Sequence, residues 1–168
     1  MDEAALLTCM AYVDLNPVRA GLCERLDDAD FTSVQARLAY AEARMDEDGG
    51  AKGAEGRACP AGLMPFADQV ADEEAPSVPM LLSDYLELLD WTGRAVREGK
   101  GSLRGAPPAA IQRLSIEPER WLQTMSSQGL RRLGVLGTPE ALEVFAATQG
   151  KRWVKGQGWA RAMFRDAA

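Results

Sequence analysis

The chain has 168 residues, of which 46% are hydrophobic, enough for one compact domain or two small ones with a buried core. It contains no histidine, which excludes Ser-His and Cys-His catalysis and every metal site built on imidazole. No apolar run approaches the roughly 18 residues of a membrane span, and the Met1-Asp2-Glu3 start lacks the basic residues of a signal peptide, so a cytoplasmic protein is expected.

The net charge of −6 hides a division. Residues 1–90 carry 6 Lys/Arg against 19 Asp/Glu, a balance of −13, whereas residues 91–168 carry 13 against 6, a balance of +7. A basic half points toward a polyanionic partner, and ordinary solvated helix faces would read the same way. Cys9, Cys23 and Cys59 are odd in number and far apart, as reduced structural thiols would be.

In chain order, the first predicted element is a helix from about Ala4 to Leu15. Leu6, Cys9, Met10 and Val13 follow the i, i+3, i+4, i+7 spacing and form a single apolar stripe. Asn16 then reads as an N-cap, Pro17 as the first position of a new helical turn and Gly21 as its stop. A second helix starts near Thr32 or Ser33, with Val34, Leu38 and Ala41 facing inward.

From Asp46 to Pro79, Gly, Ala, Pro and acidic residues dominate and predict a disordered linker, within which "GLMPFADQ" could dock as an extended piece. Next comes a helix with Ser83 as N-cap and Tyr85, Leu88, Leu89, Thr92 and Val96 as its apolar stripe, stopped by Gly99 or Gly101. Pro118 opens a short helix, and Thr138-Pro139-Glu140 opens another that Gly150 closes. No period-2 pattern stands out. The expected fold is mainly α without a substantial sheet: a helical segment over 1–45, a linker over 46–79 and a basic helical segment over 80–168.

The stretch "YVDLNPVRAGL" resembles the tyrosine motif of single-tyrosine HUH transposases, the branch that includes REP-associated tyrosine transposases. The matching residues are Tyr12, Leu15, Asn16, Pro17, Val18, Arg19, Gly21 and Leu22. More loosely, "LSDYLELLDWTGRAVRE" and "KRWVKGQG" resemble C-terminal extensions of a bacterial subgroup. The resemblance implies DNA transposition by cleavage of hairpin-containing single-stranded DNA. Tyr12 would be the nucleophile, Asn16, Pro17 and Gly21 would shape the turn, and a homodimer is an open expectation.

A phenol with a pKa near 10 is a weak nucleophile at neutral pH. The family therefore relies on Mg or Mn held by two histidines on a sheet upstream of the tyrosine helix. This chain has neither histidine, so it resembles a C-terminal portion without the metal-binding sheet, inactive on its own. Without that sheet the Leu6 to Val13 stripe needs another partner.

By helical periodicity Tyr12 lies roughly 120° from the centre of that stripe, as a nucleophile or an ordinary rim tyrosine would. Arg19 suits either a phosphate near Tyr12 or an ion pair with Asp14. In the tail, Lys151, Arg152, Lys155 and Arg161 interleave with Trp153 and Trp159. Cations beside aromatics suit a single-stranded DNA surface; a terminal helix whose tryptophans pack on the body is the alternative. The second functional reading is a non-catalytic helical interaction or regulatory module.

Overall fold

The computed structural model describes residues 2–30, 32–48, 59–72, 74–97, 105–126, 130 and 133–164. Their helices are α1 (Glu3–Asp14), α2 (Asn16–Arg19), α3 (Ser33–Asp48), α4 (Leu82–Arg97), α5 (Ala109–Arg113), α6 (Pro118–Ser126), α7 (Pro139–Thr148) and α8 (Gln157–Met163), with a 3-10 turn at Ala67–Gln69. Among the described residues extended pairing is limited to two isolated bridges, Phe66 with Val78 and Ile116 with Phe164. The fold is mainly helical, as the missing period-2 pattern predicts.

Helix α4 is the hub, packing against α2, α5 and α6, while α8 joins α6 to α7. Its predicted stripe holds: Tyr85, Leu88, Leu89 and Thr92 are buried and Val96 is half-buried. One hydrophobic core draws on both helical segments, from Leu7, Leu15 and Val34 to Trp121, Met125, Leu142 and Met163. The predicted cap at Ser83 is corrected, because α4 begins at Leu82, whose N–H donates to Asp68 Oδ1 at 3.0 Å.

That cap comes from the segment read as linker. Residues 49–58 lie outside the described residues, but the stretch around "GLMPFADQ" docks by burying Phe66 and Val78 completely. The two sides of this strap are zipped by Val78 N–H to the Pro65 carbonyl and Ala67 N–H to the Val78 carbonyl, at 2.8 and 3.0 Å. Two fully buried apolar anchors and a few backbone bonds hold this stretch.

Helix α1 corrects a second expectation. Its buried residues are Ala4, Ala5, Leu7, Thr8, Ala11 and Asp14, whereas Val13 is 65% exposed, Cys9 is exposed, and Leu6 and Met10 are half-buried. Of the predicted stripe, Cys9 and Val13 therefore face outward, while Leu6 and Met10 pack partly against the core. Between Glu3 and Asp14 the helix has no charge, so it is nearly as apolar on one side as on the other, and periodicity alone cannot choose the inner face. Packing chooses the side where Ala4 and Ala11 permit close approach and where Asp14 finds partners on other helices, while Thr8 is satisfied within α1, its Oγ1 donating to the Ala4 carbonyl at 2.6 Å.

Asp14 sits 4% exposed at the centre of a polar cluster. Its Oδ2 accepts from the Tyr85 hydroxyl at 2.6 Å and its Oδ1 from the Ser33 hydroxyl, tying α1 to α4 and α3. Burial first, and then the adjoining Asp14 carboxylate, holds the Tyr85 phenol well above its ordinary range. A raised folded-state pKa adds stability that is complete below the unfolded value near 10 and drains away as pH rises through the folded value. Tyr85→Phe is expected to cost about 1 to 3 kcal/mol at neutral pH, since it removes a donor from a buried carboxylate. It should also remove this residue's share of the alkaline loss, which urea unfolding at pH 7 and pH 11 would show as a smaller difference in the variant.

Candidate nucleic-acid interface

The tyrosine motif folds as a helix, a one-residue joint and a single further turn. Asn16 does not cap α2 with its side chain; its Oδ1 accepts from Arg19 Nη2 at 2.7 Å. Pro17 lies in the first turn of α2, and its carbonyl accepts from Leu22 N–H at 2.9 Å as the chain reverses at Gly21. There φ is +69°, in the left-handed region that favours glycine. The predicted stop at Gly21 is thus present, and the predicted N-cap at Asn16 is replaced by a brace for Arg19.

Arg19 turns back over Tyr12, its guanidinium carbon 3.7 Å from the ring centroid, and reaches the Met125 carbonyl at 3.4 Å. The arrangement is a cation–π stack held from its far side by Asn16. Asp14, the alternative partner for Arg19, is instead occupied by Tyr85 and Ser33. The Tyr12 hydroxyl oxygen is buried and makes no hydrogen bond among the described residues. Buried in this way, it is shielded from an incoming phosphate, and no described residue accepts its proton in a hydrogen bond.

The basic tail starts where α7 ends. Lys151 N–H donates to the Ala146 carbonyl at 2.9 Å, turning the chain out of the helix after Gly150. Val154 is buried and pins the following loop to the body, leaving Lys151, Arg152, Trp153 and Lys155 exposed around it, with Trp153 at 67%. At Gly156 φ is +124°, and a Cβ there would overlap the Val135 carbonyl, so this position brings the loop against residues 134–135. Between the two segments and α7 lies an open groove of about 990 Å³, lined by Gly134, Val135, Phe145, Gln149, Lys151, Arg152, Trp153, Val154 and Lys155.

Among the described residues, the groove is lined by three cations and no carboxylate. A second cavity of about 410 Å³, against α2, α3 and α4, has three arginines but also four acidic residues, and the Arg25–Asp27 and Arg94–Asp90 pairs, at 2.9 and 2.6 Å, consume much of its positive charge. Of these two surfaces, the first has cations without acidic residues among its described lining, beside the exposed Trp153 and Phe145 rings.

The structure separates the remaining tail residues from that groove. Trp159 is half-buried, donates from Nε1 to Thr124 Oγ1 at 3.0 Å and meets Phe164 edge-on at 6.1 Å. It packs on the body, as the alternative reading of the tail expects. Arg161 does not line the groove and pairs with Glu143 at 3.4 Å on the surface. Phe145 and Gln149, not singled out from sequence, do line it; the signal was available, because Phe145 lies off the inward Leu142 and Ala146 face of α7.

The residues present do not fit the divalent cation that the resemblance implies. The chain has no histidine, and among the described residues no group of three or more Cys, Asp or Glu side chains could hold a metal ion. Among the described residues, too, no helix is long and apolar enough to cross a membrane. Comparison with protein-family models, with curated proteins and with solved structures finds no match for the chain.

Proposed function

We propose that this chain is a transposase-family protein that binds single-stranded, hairpin-containing DNA through the 151–155 loop, with Tyr12 at the family's nucleophile position and these residues unable to cleave DNA by themselves. The observation that carries the reading is the groove that Lys151, Arg152, Lys155 and the exposed Trp153 line, with no carboxylate among its described lining residues. Cations neutralise phosphates and release counterions, and an exposed indole offers a face to an unpaired base. The tyrosine motif supplies the family, and the missing histidines together with the buried Tyr12 hydroxyl support a binding rather than a cleaving role.

One experiment tests both parts. In anisotropy titrations against a hairpin flanked by single strands, the intact chain is expected to bind weakly and with steep salt dependence. Replacing Lys151, Arg152 and Lys155 together by Ala should lower the salt slope by about 2, at about 0.7 per phosphate contact on a single strand. With Mg or Mn added, no covalent adduct should form. An adduct that is lost in Tyr12→Phe would overturn the non-cleaving part, and an unchanged slope in the triple variant would overturn the binding part.

A second reading, a helical interaction module without a DNA role, is favoured by one observation: α1, uncharged between Glu3 and Asp14, leaves Cys9 and Val13 bare on its surface.

A further inference from the structure

We infer that the groove beside the 151–155 loop is a two-ring stacking site for unpaired bases, with Phe145 as the second ring beside Trp153. The inference rests on the binding reading above and extends it to a residue outside the basic tail. Phe145 is 39% exposed on α7, where Leu142 and Ala146 already supply the inward face, so its ring is not needed to complete the core. It lines the same groove as Trp153 and the three cations.

The pairing of rings with cations selects the partner. Duplex DNA or an acidic peptide would satisfy Lys151, Arg152 and Lys155 but leave two aromatic faces against water. A single strand supplies phosphates and unstacked bases together, and any base has a π face, so the site tolerates sequence. An anionic lipid surface also takes cations with exposed aromatics, and the vesicle arm of the test separates it from a single strand.

The test uses the full chain and a labelled oligothymidylate at about 50 mM salt, low enough for weak phosphate contacts to register. Phe145→Leu and Trp153→Leu are each expected to weaken binding about 5- to 160-fold with the salt slope unchanged, the range expected for one lost base stack. An abasic oligonucleotide of the same length, offered to the unaltered chain, should bind more weakly by a similar or greater factor; this arm does not depend on any variant folding.

If the intact chain fails to bind the oligonucleotide, the underlying reading fails and the inference with it. If it binds, and the Lys151, Arg152, Lys155 triple weakens binding, but the abasic strand binds as well as the base-bearing one, only the stacking inference is overturned. Association with phosphatidylserine vesicles without association with the oligonucleotide would replace the partner class.

Discussion

Leu7→Ala is expected to cost about 2 to 5 kcal/mol of stability, and Val13→Ala on the same helix about 0.5 kcal/mol or less. Leu7 is fully buried in the core that joins α1 to the rest of the chain, and its removal leaves a cavity that the surrounding side chains fill only in part. Val13, two-thirds exposed on the opposite face, has little packing to lose. For a chain of this length each kcal/mol moves the melting temperature by about 2 to 4 °C, so thermal unfolding separates the two variants clearly. Equal losses would mean that the outward face of α1 is covered in solution, and would move the weight to the interaction-module reading.

Gly156→Ala is expected to damage stability and the groove together. Its φ of +124° is one that a residue with a Cβ rarely adopts, at a cost of about 1 to 3 kcal/mol, and the added methyl would overlap the Val135 carbonyl, forcing a backbone shift worth a comparable amount. The shift falls where the 151–155 loop meets residues 134–135, so the groove changes shape even in molecules that remain folded. Oligonucleotide affinity measured below the melting transition should therefore fall as well. A variant with unchanged melting temperature and unchanged affinity would show that the loop is not held as described.

The parts of this structure legible in the sequence are those where chemistry contrasts along one element. Helix α4 alternates a strong apolar stripe with Asp84, Glu87, Asp90 and Arg94, and its inner face follows directly. In α1 the contrast vanishes between Ala4 and Val13, and its inner face depends on partners distant in the chain: Asp14 is buried because Tyr85, 71 positions later, donates to it. The strap around Phe66 and Val78 is hidden for a related reason, since two anchors are diluted in a composition that otherwise opposes burial.

The candidate site divides along the same line. Lys151, Arg152, Trp153 and Lys155 are nearly contiguous, so any exposed loop gathers them. Whether Trp153 or Trp159 faces solvent depends on Thr124, which accepts the Trp159 N–H from α6, and nothing in the local sequence announces that bond. Phe145 reaches the groove only through the turn at Gly150, which brings the loop back beside α7. For Arg19 the sequence alone allows a phosphate or Asp14; its stack on Tyr12 follows from the tightness of the α1–α2 turn, three-dimensional information that the motif letters do not carry.

The most direct test of the groove as the binding surface is photocrosslinking of the intact chain to a single strand carrying iodinated uracils, followed by mass spectrometry of the joined peptides. The expected result is a crosslink within residues 145–155, at Trp153 or Phe145, that is suppressed by excess unmodified single strand and by high salt. Crosslinks confined to Trp159, to α1 or to residues outside that loop, with the 145–155 peptide unmodified, would contradict it.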